Sequence, residues 1–208
     1  MSDDRARRAA EHAENEVREG ELVFARIREL RREPLPGRFD VEHLKAVHTY
    51  LFQDLPHHRP GVFREDTERW GKARMLEGTS WTHGVHYANE NIEARIKGIL
   101  DRFGGPAALR GLTLDDAAGK LAELYGDLDH THGFYEGNSR TLREFTRELT
   151  VAAGLDLQWG HTNTGAAERN ALYIARDVAV LDRAFPGLTP ECGTQNRARP
   201  GGPARRAK

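Results

Sequence analysis

The sequence is poor in cysteine and in long apolar runs. Cys192 is the one cysteine among 208 residues, so an internal disulfide framework is excluded. No apolar stretch approaches the roughly 20 residues that a helix needs to cross a bilayer. The N-terminal segment, MSDDRARRAAEHAENEVREG, lacks the apolar middle of a secretory signal peptide. We therefore expect a cytoplasmic protein with no membrane partner. A protein exported by a specialised secretion system would carry the same pattern.

Neither sign of charge is in excess. The chain has 31 lysines and arginines against 32 aspartates and glutamates, which gives a net charge of −1. Proteins that bind nucleic acid neutralise many phosphates with a basic surface. We expect no nucleic acid among the partners of this protein, because only its C-terminal tail is basic.

The spacing of apolar residues predicts a series of helices. Residues 3–19 predict a polar helix, and the apolar residues between positions 22 and 30 give a clearer amphipathic spacing. Asp40 can cap the next helix, on which apolar residues recur up to Phe52. Further helices are predicted at about 89–103, 113–130, 139–153 and 165–185. Thr113 can cap the second of these four, and Gly154 can end the third.

One segment breaks the helical pattern. Residues 56–84 are punctuated by glycine, proline and histidine, and they predict a loop that carries an irregular hairpin. The predicted fold class is therefore all-α with a small β-hairpin insert. We divide the chain into a polar N-terminal helix at 1–19, a main domain at 20–190 and a disordered basic tail at 191–208.

The residues that point to chemistry lie between the helices predicted at 113–130 and 139–153. Glu136-Gly137-Asn138-Ser139 offers a glycine at a turn and Asn or Ser as helix N-cap, so the first N–H groups of the helix can bind an anion. Two arginines, Arg140 and Arg143, follow in the first turn, where they oppose the helix dipole unless an anion offsets them.

Two further residues of this segment complete a set for attack on a nucleotide phosphate. His132 can take a proton from an incoming hydroxyl, and Glu136 can hold a Mg²⁺ that bridges phosphate oxygens. Phe134, between them, is expected to pack inward and fix the turn. The pair His130 and His132 could instead begin a zinc site, but such a site needs three or four ligands and no partner has a fitting spacing.

Together these residues resemble the Fic signature, H-x-F-x-[D/E]-G-N-x-x-x-x-R. The matching positions are His132, Phe134, Glu136, Gly137, Asn138 and Arg143. The resemblance extends over most of residues 20–185, and it includes a helix around residues 39–54 that looks like the one before the flap of this family. It implies a Fic-type helical bundle in which residues 20–190 form the Fic domain.

The resemblance implies a function and a role for each site residue. The chain would move AMP from ATP to a Tyr, Ser or Thr hydroxyl of a target protein, releasing pyrophosphate. His132 would be the general base and Glu136 the Mg²⁺ ligand. The residues that would bind the phosphates are Gly137, Asn138, Ser139, Arg140 and Arg143. A flap within about 62–85 would pair with an extended segment of the target, a form of β-strand addition.

The chain departs from the family pattern at three places. Gly133 stands where a proline is common, and Ser139 where Gly or Lys is frequent. The segment Pro60–Glu65 replaces Trp-Ala-Gly followed two residues later by Arg. Two alternatives therefore stay open: transfer of another group such as UMP or phosphocholine, and a catalytically silent Fic scaffold that only binds a partner.

Regulation is predicted from a motif that the sequence does not contain. Many Fic enzymes are silenced by a helix with [S/T]-x-x-x-E-[G/N], whose glutamate pairs with the last arginine of the signature. None of the five Glu-Gly and Glu-Asn pairs of this sequence has Ser or Thr four positions before the glutamate. We therefore expect a toxin that is held by a separate small helical antitoxin, with Arg143 as its anchor.

Overall fold

A computed structural model of the chain describes residues 2–67, 69–75, 82–157, 159 and 174. These residues contain five α-helices and one two-stranded antiparallel sheet, which confirms the predicted fold class. The helix predicted at 165–185 lies outside the described residues except for position 174, and the tail at 191–208 lies wholly outside them. No helix within the described part is long and apolar enough to span a membrane.

The first two helices build one side of the core. Helix α1 (Ser2–Arg32) is continuous, so the polar helix and the amphipathic stretch predicted after it are one element. Its Val23 and Leu30 are buried, against helix α2 (Val41–Phe52) and the core around it. Asp40 caps α2 as predicted, since its side chain accepts a hydrogen bond from the N–H of His43 at 3.0 Å. A 3₁₀ turn, Pro56–His58, follows α2.

The predicted hairpin is confirmed. Strands β1 (Gly71–Met75) and β2 (Thr82–His86) pair antiparallel, with Gly71 opposite His86 and Met75 opposite Thr82. The second strand ends one residue beyond the range 62–85 that was predicted for the flap. Residues 62–64 are not part of the hairpin, because they run beside the loop after α4 and make a β-bridge from Phe63 to Phe134.

Helices α3 (Ile92–Phe103), α4 (Leu114–Thr131) and α5 (Asn138–Ala152) complete the described bundle. Helix α3 starts three residues later than predicted, because residues 87–89 are bonded to other segments and Asp66 accepts hydrogen bonds from the N–H groups of Asn91 and Ile92. Thr113 caps α4 as predicted, accepting from the N–H of Asp116. Arg31 of α1 makes a two-point ion pair with the buried carboxylate of Glu144, at 2.8 and 2.6 Å, which fixes α1 against α5.

Candidate active site

His132 lies immediately after α4 and closes that helix. It has a left-handed backbone, with φ 48° and ψ 57°, and its N–H donates to the carbonyl of Leu128 at 3.0 Å. The imidazole is stacked on the ring of Tyr87, with centroids 4.0 Å apart and planes 18° apart. The residue is only 5% exposed. Helix end and stacking together hold the proposed base in one place.

The backbone at His132 is held by a buried arginine. Arg64 donates from Nε to the carbonyl of His132 at 2.7 Å, and from Nη2 to the carbonyls of Thr131, at 3.0 Å, and Ala88. Its own N–H donates to the carbonyl of Gly133 at 2.8 Å. Arg64 is 3% exposed, and this burial lowers the pKa of its guanidinium. A buried cation is costly unless it is hydrogen-bonded, and here backbone carbonyls at and near His132 accept from Nε and Nη2 of the guanidinium.

No role is predicted for Arg64 from the sequence. The segment Pro60–Glu65 departs from the family pattern, although it keeps a glycine and an arginine three residues apart. The available signal was an arginine directly after the apolar pair Val62-Phe63. Sequence alone could not show that this arginine is buried, because its partners lie 67 and 68 positions away.

Phe134 packs inward as expected, against a second residue with no predicted role. It is 2% exposed and stacked on the imidazole of His48, with centroids 3.8 Å apart and planes 11° apart. Nδ1 of His48 accepts from the N–H of Gly61 at 2.9 Å, so Nε2 carries the proton and donates to the carbonyl of Glu136 at 3.1 Å. Burial lowers the pKa of His48 to about 4, so the ring is neutral at pH 7.

The turn at Gly137 differs in one detail from the prediction. The N-cap of α5 is Gly137, with φ 77°, and not Asn138 or Ser139. Asn138 is 4% exposed, and its side chain accepts from the N–H of Phe134 at 2.8 Å and donates to the carbonyl of Phe134 at 2.7 Å. The amide therefore clamps the loop instead of capping the helix. The first N–H groups of α5, which have no acceptor within the helix, begin at this turn.

The charged side chains converge on this turn. The carboxylate of Glu136 is about half-exposed, and its Oε1 accepts from the N–H of Gly137 at 3.1 Å and lies 3.9 Å from Nη2 of Arg140. The guanidinium of Arg140 lies over the ring of Phe52, and burial lowers its pKa. Arg143 is exposed, with Nε bonded to the carbonyl of Ser139 at 3.2 Å. The carboxylate of Glu136 thus lies beside the N–H of Gly137 and near the guanidinium of Arg140.

Glu136 fits the Mg²⁺ that the family resemblance implies. Mg²⁺ prefers one or two carboxylates together with phosphate oxygens and water. The carboxylate of Glu136 is a hard oxygen donor that is open to solvent and lies beside the N–H group of Gly137. A metal held there would be next to any phosphate that the turn binds.

Two positions where the chain departs from the family pattern have structural explanations. A Cβ on Gly133 would come within 2.6 Å of Cδ1 of Ile96, so packing against α3 favours glycine there. The hydroxyl of Ser139 lies 3.5 Å from the hydroxyl of Tyr125 on α4, and its residue is half-buried. Neither change disturbs the clamp between Asn138 and Phe134.

The hairpin is fastened directly to the loop that carries His132. The N–H of Tyr87, the first residue after β2, donates to the carbonyl of Trp70 at 2.9 Å. The N–H of Ala88 donates to the carbonyl of His130, in the last turn of α4, at 3.0 Å. The residue that follows the flap strand is therefore the same one that stacks on His132.

Comparison with known proteins points to one family. The Fic/DOC family profile matches residues 38–149, which include helices α2 to α4, most of α5 and all the site residues described above. "Protein adenylyltransferase VbhT" of Bartonella schoenbuchensis is 33% identical over 142 residues, covering 67% of this chain and 27% of that protein. A "Protein adenylyltransferase" of Bartonella henselae is 29% identical over 136 residues, covering 62% of this chain and 24% of that protein. The chain thus spans about a quarter of the length of these curated relatives.

Solved structures agree with this family. The N-terminal Fic domain of a putative cell filamentation protein from Bartonella quintana, with bound ADP, is 27% identical with a TM-score of 0.60, and the match covers 77% of this chain and 76% of that one. BepC from Bartonella tribocorum, with bound AMPPNP, has a TM-score of 0.59 at 24% identity, covering 77% of each chain, and supports the fold.

Proposed function

This chain belongs to the Fic/DOC family, and we propose that it is a protein adenylyltransferase that moves AMP from ATP to a Tyr, Ser or Thr hydroxyl of a target protein. One observation carries the proposal: a loop held by Arg64, His48 and Asn138 joins a buried histidine to an anion-binding turn. A nucleotide substrate is supported by the names of the curated relatives and by the ADP bound to the Fic domain from Bartonella quintana.

In this proposal His132 removes the proton of the target hydroxyl, and the oxygen attacks the α-phosphorus of ATP. A new phosphorus–oxygen bond forms to the target. The bond from the α-phosphorus to the oxygen that bridges to the β-phosphate breaks, and pyrophosphate leaves. The stacking of His132 on Tyr87 fixes the plane of the base, which lowers the cost of orienting it for this step.

The turn and the two arginines bind the phosphates. The N–H groups at Gly137 and Ser139 donate to phosphate oxygens, and Arg140 and Arg143 offset the charge of the β- and γ-phosphates. Asn138 contributes by holding the loop through Phe134. Glu136 would hold Mg²⁺, which when bound neutralises phosphate charge.

The hairpin would position the target. Within the described residues the sheet has two strands, so each strand has an outer edge that a third strand can join. We infer that an extended segment of the target pairs with the β1–β2 hairpin. Its hydroxyl then lies near His132, because Tyr87, the residue after β2, is stacked on the imidazole of His132.

The test is transfer from labelled nucleotides to proteins of a lysate, followed by mass spectrometry of the modified peptides. Label in the α-phosphate should reach protein, and label in the γ-phosphate should not, because pyrophosphate is the leaving group. His132→Asn is the control for enzymatic transfer. Labelling only from UTP or a phosphocholine donor would show that the enzyme transfers that group and not AMP. No labelling from any donor would favour the silent scaffold.

Regulation by a separate protein is part of the proposal. We infer that a small helical antitoxin supplies a glutamate to Arg143, whose guanidinium is exposed and, within the described residues, is bonded only to the carbonyl of Ser139. A two-point Arg–Glu contact is strong enough to compete with a phosphate. Expressed alone, the chain should arrest growth, and His132→Asn should remove the arrest. Unimpaired growth together with active transfer in lysate would contradict the toxin role.

A further inference from the structure

Three donor side chains meet where α1 passes the turn that follows α2. Glu19 lies in α1, and His57 and His58 form the end of the 3₁₀ turn after α2. Oε1 of Glu19 lies 2.7 Å from Nε2 of His57, and Oε2 lies 3.1 Å from Nε2 of His58. Within the described part of the chain, this is the one group of three His, Cys, Asp or Glu side chains whose donor atoms all lie within 4.8 Å of one another.

The chemistry of this group matches a transition metal. Two imidazole nitrogens and one carboxylate are a known zinc donor set, with a fourth position left for water. Zinc–nitrogen distances of about 2.0–2.1 Å place tetrahedral donor atoms about 3.3 Å apart. The distance from Oε2 of Glu19 to Nε2 of His58, 3.1 Å, is close to that value, and Nε2 of His57 lies 2.7 Å from Oε1. The side chain of His57 is 60% exposed and has room to turn toward a shared ion.

The fold holds the ring of His58 and the backbone of the turn without help from a metal. His58 is 8% exposed and its ring packs against Phe52, with centroids 5.3 Å apart. The turn is closed by Arg59, which has a left-handed φ of 52° and donates its N–H to the carbonyl of Pro56. Leu55, 5% exposed, anchors the start of the turn in the core. A metal would therefore bind a largely preformed site, which reduces the ordering cost.

We propose that Glu19, His57 and His58 bind a divalent transition-metal ion of the zinc class, which joins α1 to the turn after α2. The site differs from the one at Glu136 in chemistry, because its imidazole donors suit zinc and its relatives, whereas an oxygen-only site suits Mg²⁺. The proposal does not rest on the transferase activity. It concerns how the middle of α1 is fastened to the domain.

The experiment is a zinc titration of the full chain, with any purification tag removed, by isothermal calorimetry and by thermal unfolding. The wild type should bind one Zn²⁺. At a hundredfold excess over Kd its Tm should rise by about 5 °C or more, because only the folded state offers the site. Glu19→Gln and His57→Gln should each weaken binding at least about tenfold, since each removes one of three protein ligands.

His86→Gln is the matched control, because His86 is an exposed histidine outside the group. It should bind zinc like the wild type. Both His57 and Glu19 retain enough exposure for their glutamine variants to fold, which circular dichroism checks. The proposal is overturned if the wild type binds no zinc, or if Glu19→Gln and His57→Gln bind it as tightly as His86→Gln.

Discussion

Gly137→Ala tests whether the turn before α5, which we propose binds phosphate, is held by packing. Gly137 has φ 77°, and a Cβ added there would lie 2.2 Å from Cζ and 2.4 Å from Cε2 of Phe52. Phe52 is fully buried. Its ring contacts His48, at a centroid distance of 4.7 Å, and lies under the guanidinium of Arg140 at 4.8 Å. The ring therefore has little space into which it can move.

Three terms set the size of the destabilisation. The left-handed backbone costs alanine about 1–2 kcal/mol, and the stiffer unfolded chain returns about 0.4–1 kcal/mol. The clash with Phe52 adds about 1–3 kcal/mol, as overpacking does elsewhere. The sum is a destabilisation of about 1–4.5 kcal/mol, which at about 2–4 °C per kcal/mol for a chain of this size lowers Tm by about 2–18 °C.

Gly154→Ala is the matched control. Gly154 has φ 85°, and a Cβ there would have no heavy atom within 4 Å. It carries the backbone cost without the clash, so its Tm should fall by only about 2–4 °C. Calorimetric unfolding measures both shifts. In the transfer assay Gly137→Ala should be about 10²-fold slower, because a small displacement of a positioned group costs that much, while Gly154→Ala keeps the wild-type rate. Equal Tm shifts in the two variants would refute the packing argument.

Four further predictions concern the loop and its supports. His132→Asn should slow transfer by about 10²–10⁴-fold in a rate assay with little change in Tm, since Asn tolerates the left-handed backbone; a wild-type rate would exclude His132 as the base. Glu136→Gln should raise the Mg²⁺ concentration needed for half-maximal rate, and rates independent of Mg²⁺ in both forms would contradict the metal role. Arg64→Lys should lower the rate about 10²-fold, because the carbonyl of His132 loses its donor. The control Arg95→Lys, which alters an exposed arginine bonded to a backbone carbonyl, should keep the wild-type rate. Equal rates in these two variants would contradict the positioning role of Arg64. The pKa of His48 is about 4 in the fold against 6.5 in a free chain, so the unfolded state binds the extra proton between these values and stability falls as pH drops through that window. His48→Gln should remove this part of the pH dependence of Tm, and an unchanged pH profile would contradict the assignment.

Local sequence signals predicted the helices well. Apolar spacing gave the five described helices, and the two caps at Asp40 and Thr113 are contacts between residues three apart in sequence. The hairpin followed from the glycine and proline punctuation of residues 56–84. These features are set by residues close together in the chain, which is why a single sequence is enough to predict them.

The contacts that shape the site are not local. Arg64 reaches the carbonyl of His132 across 68 positions, and His48 reaches that of Glu136 across 88. The start of α5 shows the same limit on a smaller scale. Asn138 is a good N-cap residue by type, but its side-chain amide bonds the backbone of Phe134. The N-cap is Gly137, where a side chain would collide with the ring of Phe52.

The signature therefore identifies the residues proposed to react but not their geometry. His132 and Glu136 lie on one short loop and Asn138 begins the helix after it, and the backbone of this loop is bonded to side chains from α2 and from the segment that leads to the flap. Gly61 donates its N–H to His48, and His48 donates to Glu136, so the entry to the flap and the anion-binding turn are joined through one neutral imidazole. Arg64, three residues after Gly61, joins the same segment to His132. If a target strand pairs with the hairpin as proposed, a shift of this segment would reach both ends of the loop through these bonds.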